Sequence, residues 1–283
     1  MQRCTASKKT MTIFPMKKLP EVGNAFLHYF QQFIPDFAEK FVPGISPTEL
    51  QSVLGTLQYE LPPDFYTLYE WRNGYADFNG HPDFNCYSFA PFHFNTIEMV
   101  AAEKNWDWCD DNPPTYKGYN VLPLVSCGRV FWGITLGRDY QTEAHIVYVD
   151  SVGECVLRYD SITCMMNSIV ESFERGGLLL SENVIRRNDE LFAETLRANN
   201  PKTLSEGIAD FERYIDVYGS DTDIADYSMK MDILLNGLSI LYYMKPSAIL
   251  EQVRCRLNAL ENISSERAIS AHEGLKMWLN ANE

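Results

Sequence analysis

The chain is short of positive charge, of paired cysteines and of long apolar runs, and each shortage narrows its chemistry. Twenty-four Lys and Arg stand against 38 Asp and Glu, a formal net charge of −14 over 283 residues. Phosphate backbones and anionic lipid surfaces demand neutralising cations, so nucleic acid and membrane are disfavoured as partners and a basic protein is favoured. The seven cysteines (Cys4, Cys86, Cys109, Cys127, Cys155, Cys164, Cys255) are odd in number and scattered, with no CxxC pair. That usage fits a reduced, cytoplasmic protein whose cysteines act as small buried apolar residues. No apolar run reaches the roughly 18 residues that span a membrane. The longest candidate, Ile233 to Met244, is interrupted by Asn236, Gly237 and Ser239 and reads as a buried helix. The first twenty residues hold Arg3, Lys8, Lys9, Lys17 and Lys18 and no acid, but lack the apolar centre of a signal peptide. A disordered tail is expected over 1–20.

What is present is organised around Leu61 to Gly80, LPPDFYTLYEWRNGYADFNG. Pro63 fits the first turn of a helix, where no N–H is needed, and Phe65, Leu68 and Tyr69 give it an apolar face with Trp71 trailing. Asn73-Gly74 is expected to stop that helix and Asn79-Gly80 to form a second turn. Upstream, Val22, Phe26, Tyr29, Phe30 and Phe33 predict a helix within Glu21 to Phe41, bent or ended at Pro35. Ser46, Pro47 and Glu49 form a helix start with Leu50, Val53, Leu54 and Leu57 on one side.

Beyond Gly80 the period changes. Cys86 to Phe94 predicts a strand or edge strand, Thr96 to Trp108 a helix, and Asp110 to Pro114 a loop. Val121–Val125 and Val130–Leu136 read as strands. His145 to Asp150 and Glu154 to Tyr159 flank Ser151-Val152-Gly153 as a hairpin. A helix over Ser161 to Arg175 ends at Gly176-Gly177. From Leu178 onward no strand signal is found: helices are expected over Glu182 to Ala198, from a Thr203/Glu206 capping box to Gly219, over Asp223 to Met244, Ser247 to Leu260 and Glu266 to Leu279. The spacing settles on no period of about 34 residues, so no tetratricopeptide array is claimed.

The order of these signals resembles the SUKH superfamily, which includes fungal cell-wall-assembly regulators and bacterial immunity proteins that neutralise polymorphic toxins. The resemblance covers about residues 21–177. It is carried by Ser46-Pro47-Thr48-Glu49-Leu50, by Leu61-Pro62-Pro63-Asp64-Phe65 followed by Asn73-Gly74, and by Val121-Leu122-Pro123-Leu124. Val147-Tyr148 to Gly153 and the Ser161 to Phe173 helix complete it. The chain departs from the family in having Tyr75-Ala76-Asp77-Phe78 where a Gly-rich step is usual, and in the helical stretch after the domain. The resemblance implies an α+β fold of helices on an antiparallel sheet, no enzymatic activity and a protein partner. The expected organisation is a tail (1–20), a SUKH-like α+β domain (21–177) and an all-helical C-terminal domain (178–283).

His81, Asp83, Cys86 and His93 have the spacing H-x-D-x2-C-x6-H, which is no familiar zinc pattern, so no metal or cofactor is expected. Cys86 or Cys127 with His145 would need an activated thiol and an orienting third group. Cys127-Gly128-Arg129 to Gly133 lacks the spacing and lysine of a phosphate-binding loop. Asp110-Asp111, beside Pro113-Pro114, read as solvated acids rather than a general acid–base pair. The surviving candidate is a partner-binding group of Asp77, Trp106, Asp107, Trp108, Asp110 and Asp111, in which aromatic anchors beside carboxylates suit a basic protein. The expected function is therefore non-enzymatic binding, most concretely an immunity protein masking a toxin domain. The alternatives are a regulatory scaffold and, from another class, a hydrolase using a cysteine or a carboxylate pair.

Overall fold

The computed structural model describes residues 16–32, 38–55, 61–75, 93–102, 115–116, 119–127, 130–136, 144–149, 155–181 and 184–219, together with Ile240, Met244, Cys255 and Lys276. Within them the early helices begin where capping chemistry places them. Helix α1 (Leu19–Gln31) buries Val22, Phe26 and Phe30. It stops at Gln31, well short of Phe41, and a 3-10 turn over Ala38–Lys40 leads into β1 (Phe41–Pro43). Helix α2 (Pro47–Leu54) has a complete capping box: the Glu49 amide donates to Ser46 Oγ, and the Ser46 amide donates to the Glu49 carboxylate at 3.0 Å. Helix α3 (Pro63–Trp71) buries Phe65, Leu68 and Tyr69 as its spacing predicts.

The Asn73-Gly74 stop is corrected. Helix α3 ends because Arg72 turns to extended backbone (φ −150°, ψ 136°), and Asn73 and Gly74 lie inside strand β2 (Arg72–Tyr75), which pairs with β1. Gly74 has φ +79°, a conformation that suits glycine. A Cβ there would also lie 2.5 Å from the Thr96 amide nitrogen.

The main sheet is antiparallel throughout its described pairs, in the order β3 (His93–Phe94), β5 (Tyr119–Cys127), β6 (Val130–Leu136), β7 (Ile146–Val149), β8 (Cys155–Tyr159), with β4 (Thr115–Tyr116) also pairing β5. Pro123 falls at a register shift in β5, where a missing N–H is tolerated. Six consecutive residues of β6, Phe131 to Leu136, are buried, so both faces of this strand are covered. Helix α4 (Ile97–Ala102) follows β3. Helix α5 (Ile162–Glu174) is capped by Ser161, whose hydroxyl accepts from the Cys164 amide. The Thr163 amide donates to Asp64 at 3.0 Å, so the acid of the LPPDF stretch also serves the first turn of α5. Helices α1, α3 and α5 pack on one another and share one core with the sheet. The fold is α+β, with helices packed on an antiparallel sheet.

Beyond Gly177 the expectation of no strand is corrected. β9 (Leu178–Ser181) and β10 (Val184–Arg187) form an antiparallel hairpin, closed at its base by Asn188 N–H to Gly177 O at 2.9 Å. Leu178 and Ile185 turn inward and are buried, whereas Leu179 and Arg186 face water. Helix α6 (Asp189–Asn199) therefore starts seven residues later than Glu182, with Asn188 as its N-cap. Helix α7 (Pro201–Gly219) begins before Thr203, and Thr203 is not its cap. The Lys202 and Thr203 amides and the Thr203 hydroxyl donate to Asp160, at 3.0, 2.6 and 2.6 Å. The Asp160 amide in turn donates to Asn200 Oδ1 at 3.0 Å, and Asn200 Nδ2 donates to Ser168 Oγ at 2.8 Å. The α6–α7 junction is thus fastened to the β8–α5 connection by hydrogen bonds that run from the exposed Lys202 amide to the buried Asn200–Ser168 pair. Ile240 and Met244 are helical and buried, and Met244 O accepts from Arg197. The rest of the three helices expected beyond Gly219 lies outside the described residues, apart from Cys255 and Lys276, which are helical.

Candidate protein-binding surface

The partner-binding group expected from sequence, Asp77, Trp106, Asp107, Trp108, Asp110 and Asp111, lies outside the described residues, as do His81, Asp83 and Cys86. His93 is placed by its backbone in β3, and Cys127 by its backbone at the end of β5. His145 precedes β7 and is half-buried; its Nε2 lies 3.9 Å from Glu206 Oε2 on α7, so a carboxylate is the acid or anion that faces it there. Cys164 is a buried free thiol, and burial pushes its pKa up, which suppresses the thiolate a nucleophile needs. Among the described residues no cluster of three or more His, Cys, Asp or Glu is arranged to hold a metal ion, and no helix is long and apolar enough to cross a membrane.

A different surface is assembled where α3 hands over to β2. Trp71, the last residue of α3, is partly exposed and lies against α1. Its indole N–H donates to Asn24 Oδ1 at 2.9 Å. Gly23 lies directly under the ring: a Cβ there would be 2.7 Å from two ring carbons, so the close approach needs a residue without one. The Arg72 guanidinium carbon sits 5.6 Å from the Trp71 ring centroid, a cation–π distance, while Arg72 Nη1 donates to Trp71 O at 2.9 Å. Phe41 on β1 packs its ring edge-on to Tyr75, with centroids 5.4 Å apart, and contacts Trp71 at 6.4 Å.

Strand β2 is fixed from its other side by Asn73. This side chain is buried (5% exposed), and its Oδ1 accepts the Ile97 amide at 2.8 Å, capping α4 from 24 residues away. Its Nδ2 donates to the Glu98 carboxylate at 3.4 Å. Behind Trp71 is a cavity of about 40 Å³ lined only by apolar surface, including Phe26, Leu68, Phe94, Trp132 and Met165. The arrangement offers Trp, Arg and Tyr within five consecutive residues, all partly exposed, at a helix end and on the paired strand that follows it. Sequence reasoning noted Trp71 only as the tail of a helix. The signal that could have singled it out is the unit Trp71-Arg72-Asn73-Gly74-Tyr75, which places three hot-spot residue types beside a helix end. The chain matches no protein-family model and no curated protein.

Proposed function

We propose that the protein is a non-enzymatic binding module that masks a basic protein partner, most concretely an immunity protein occluding a toxin domain. The observation that carries this reading is the partly exposed Trp71 at the end of α3, with Arg72 and Tyr75 on the paired strand β2, beside the exposed Glu70, in a chain of net charge −14. Aromatic and arginine anchors supply the short-range part of such an interface, and excess negative charge steers a cationic partner to it. Four inset polar groups have structural work: the half-buried Asp64 and Asp160 serve helix starts, and the buried Asn73 and Asn200 cap α4 and bridge α5 to α6. The resemblance of residues 21–177 to SUKH proteins supports the partner class, and the cysteine usage supports a cytoplasmic setting.

Affinity capture on the full chain from its native host, at low and moderate salt with mass spectrometry of the retained proteins, tests the reading. One basic, stoichiometric partner that elutes earlier as salt rises, and whose own activity the chain abolishes, is the expected result. Retention of several cell-wall or signalling proteins would replace masking by scaffolding. A hydrolytic activity lost in Cys86→Ser would overturn the binding reading altogether.

A further inference from the structure

Resting on the protein-binding reading, we propose that Arg72 is a carboxylate receptor: an Asp or Glu side chain of the partner docks on its free Nε–Nη2 edge beside the Trp71 ring. Arg72 is half-buried, and no acid among the described residues pairs with it. Its guanidinium has two fastenings. The Trp71 ring lies 5.6 Å from it, and the Trp71 carbonyl accepts from Nη1 at 2.9 Å. Nε and Nη2 have no acceptor among the described residues. Across the β1–β2 ladder stands Pro43, which offers neither a charge nor a polar side chain. A guanidinium drawn partly out of water is stabilised by a carboxylate, and here the chain supplies none.

The fork is held ready. Trp71 packs tightly on Gly23 and its indole N–H donates to Asn24, so the ring that carries the guanidinium is fixed against α1. With Nη1 spent on the Trp71 carbonyl, the Nε–Nη2 edge keeps two parallel N–H bonds, the spacing that a carboxylate accepts in bidentate fashion. A planar fork already oriented loses little freedom when it is bound. The exposed Pro43 and Glu70 beside it leave the site open, without the enclosing walls that a small ligand needs.

The charges around Arg72 decide which carboxylate can reach it. Glu21 on α1 is coupled to Lys17, which itself pairs with Glu174 at 2.6 Å. Glu98 on α4 bonds Asn73, Glu70 is exposed on α3, and Glu39 is followed by Lys40 ahead of β1. Both signs are present locally, but the chain as a whole carries −14 and repels a small free anion. An acidic side chain carried on a basic protein escapes that repulsion, because its own Lys and Arg bring it in.

The test uses the full chain with isotope-labelled arginine, the Arg72 Nε–H resonance being assigned with Arg72→Gln. Random displayed peptides are selected on the native chain, then synthesised with amidated C-termini so that side chains are their only carboxylates. The expected peptides share an Asp or Glu, and their binding shifts the Arg72 resonance. Changing that acid to Asn or Gln weakens binding about tenfold, Arg72→Gln does the same, and the two together add nothing further. Arg72→Lys, which keeps the charge but not the fork, recovers only part of the affinity. Arg186→Gln, at an exposed arginine on β10, leaves binding unchanged. Circular dichroism checks the fold of each variant. Failure to select any peptide, peptides that tolerate loss of the acid, or additive losses would each overturn the receptor. So would an equal loss in Arg186→Gln, full affinity in Arg72→Lys, or an Arg72 resonance moved as far by acetate or inorganic phosphate as by the peptides. If the partner captured from the host is retained equally by Arg72→Gln, the receptor is wrong and the protein-binding reading stands. If the native chain retains no protein, that reading fails and the receptor with it.

Discussion

At the scale of single residues, ionisable groups report their surroundings. Burial holds the Cys164 thiol above its ordinary pKa, whereas Cys255 is exposed. Alkylation at pH 8 is expected to modify Cys255 in the native protein and to spare Cys164 until the chain is unfolded, as peptide mapping by mass spectrometry will show. Glu49 behaves oppositely: the hydroxyl and amide of Ser46 hold its pKa below the ordinary value of 4.5. A carboxylate whose folded pKa is depressed contributes stability that is present above the unfolded value and is lost as pH falls through the folded one. The α2 capping box should therefore loosen on acidification below about pH 4.5. Amide signals of Ser46 and Glu49 are expected to titrate together, and Ser46→Ala to abolish the shared transition.

At the scale of elements, two backbone devices hold pieces that are distant in sequence. Gly74 joins β2 to the start of α4 with φ +79° and direct backbone contact to Thr96. Gly74→Ala is expected to destabilise the fold by about 1–3 kcal/mol in denaturant titrations, from left-handed strain and crowding together. Asp160 is the remote cap of α7, accepting three hydrogen bonds from Lys202 and Thr203. Asp160→Ala should cost about 1–3 kcal/mol and speed amide exchange at Lys202 and Thr203, while leaving the centre of β6 protected. Equal loss of protection in α7 and β6 would show that the cap is not local in its effect.

At the scale of the whole molecule, the hairpin and helix that follow Gly177 share the core of what precedes them. Leu178, Ile185, Phe192 and Leu196 belong to the same buried cluster as the sheet and α5. Arg175 on the α5 side pairs with Glu194 on α6 at 2.7 Å. Phe192 is 1% exposed, so Phe192→Ala should remove about 3–5 kcal/mol. A single cooperative transition, followed by protection in both α6 and β6, is the expected melting behaviour. Two resolved transitions, with only the later one shifted, would separate the two regions energetically.

What the sequence determined by itself is what neighbouring residues decide among themselves. The α2 capping box, the apolar face of α3, the Gly-bounded strand β6 and the Ser161 start of α5 all depend on residues within a few positions, and all were legible. So was the fold class, because period-2 and period-3.6 segments alternate in the order that an antiparallel sheet under helices requires. The reading of Asn73-Gly74 as a stop failed because the partner of Asn73 is Ile97, a contact that exists only once β2 and α4 meet. The hairpin at Leu178 to Arg187 was missed because its Leu and Glu content satisfies a local helical pattern, while the burial of Leu178 and Ile185 that favours strands comes from packing. Thr203 reads as a cap in sequence because its own neighbours fit one; the tertiary structure supplies Asp160 instead. The Trp71 surface follows the same rule. Its residues are contiguous in the chain, but its character depends on Gly23 and Asn24 of α1 and on an apolar cavity built by the sheet and α5. Local chemistry fixes where elements start; which polar groups cap, latch or face water is decided by elements brought together from afar.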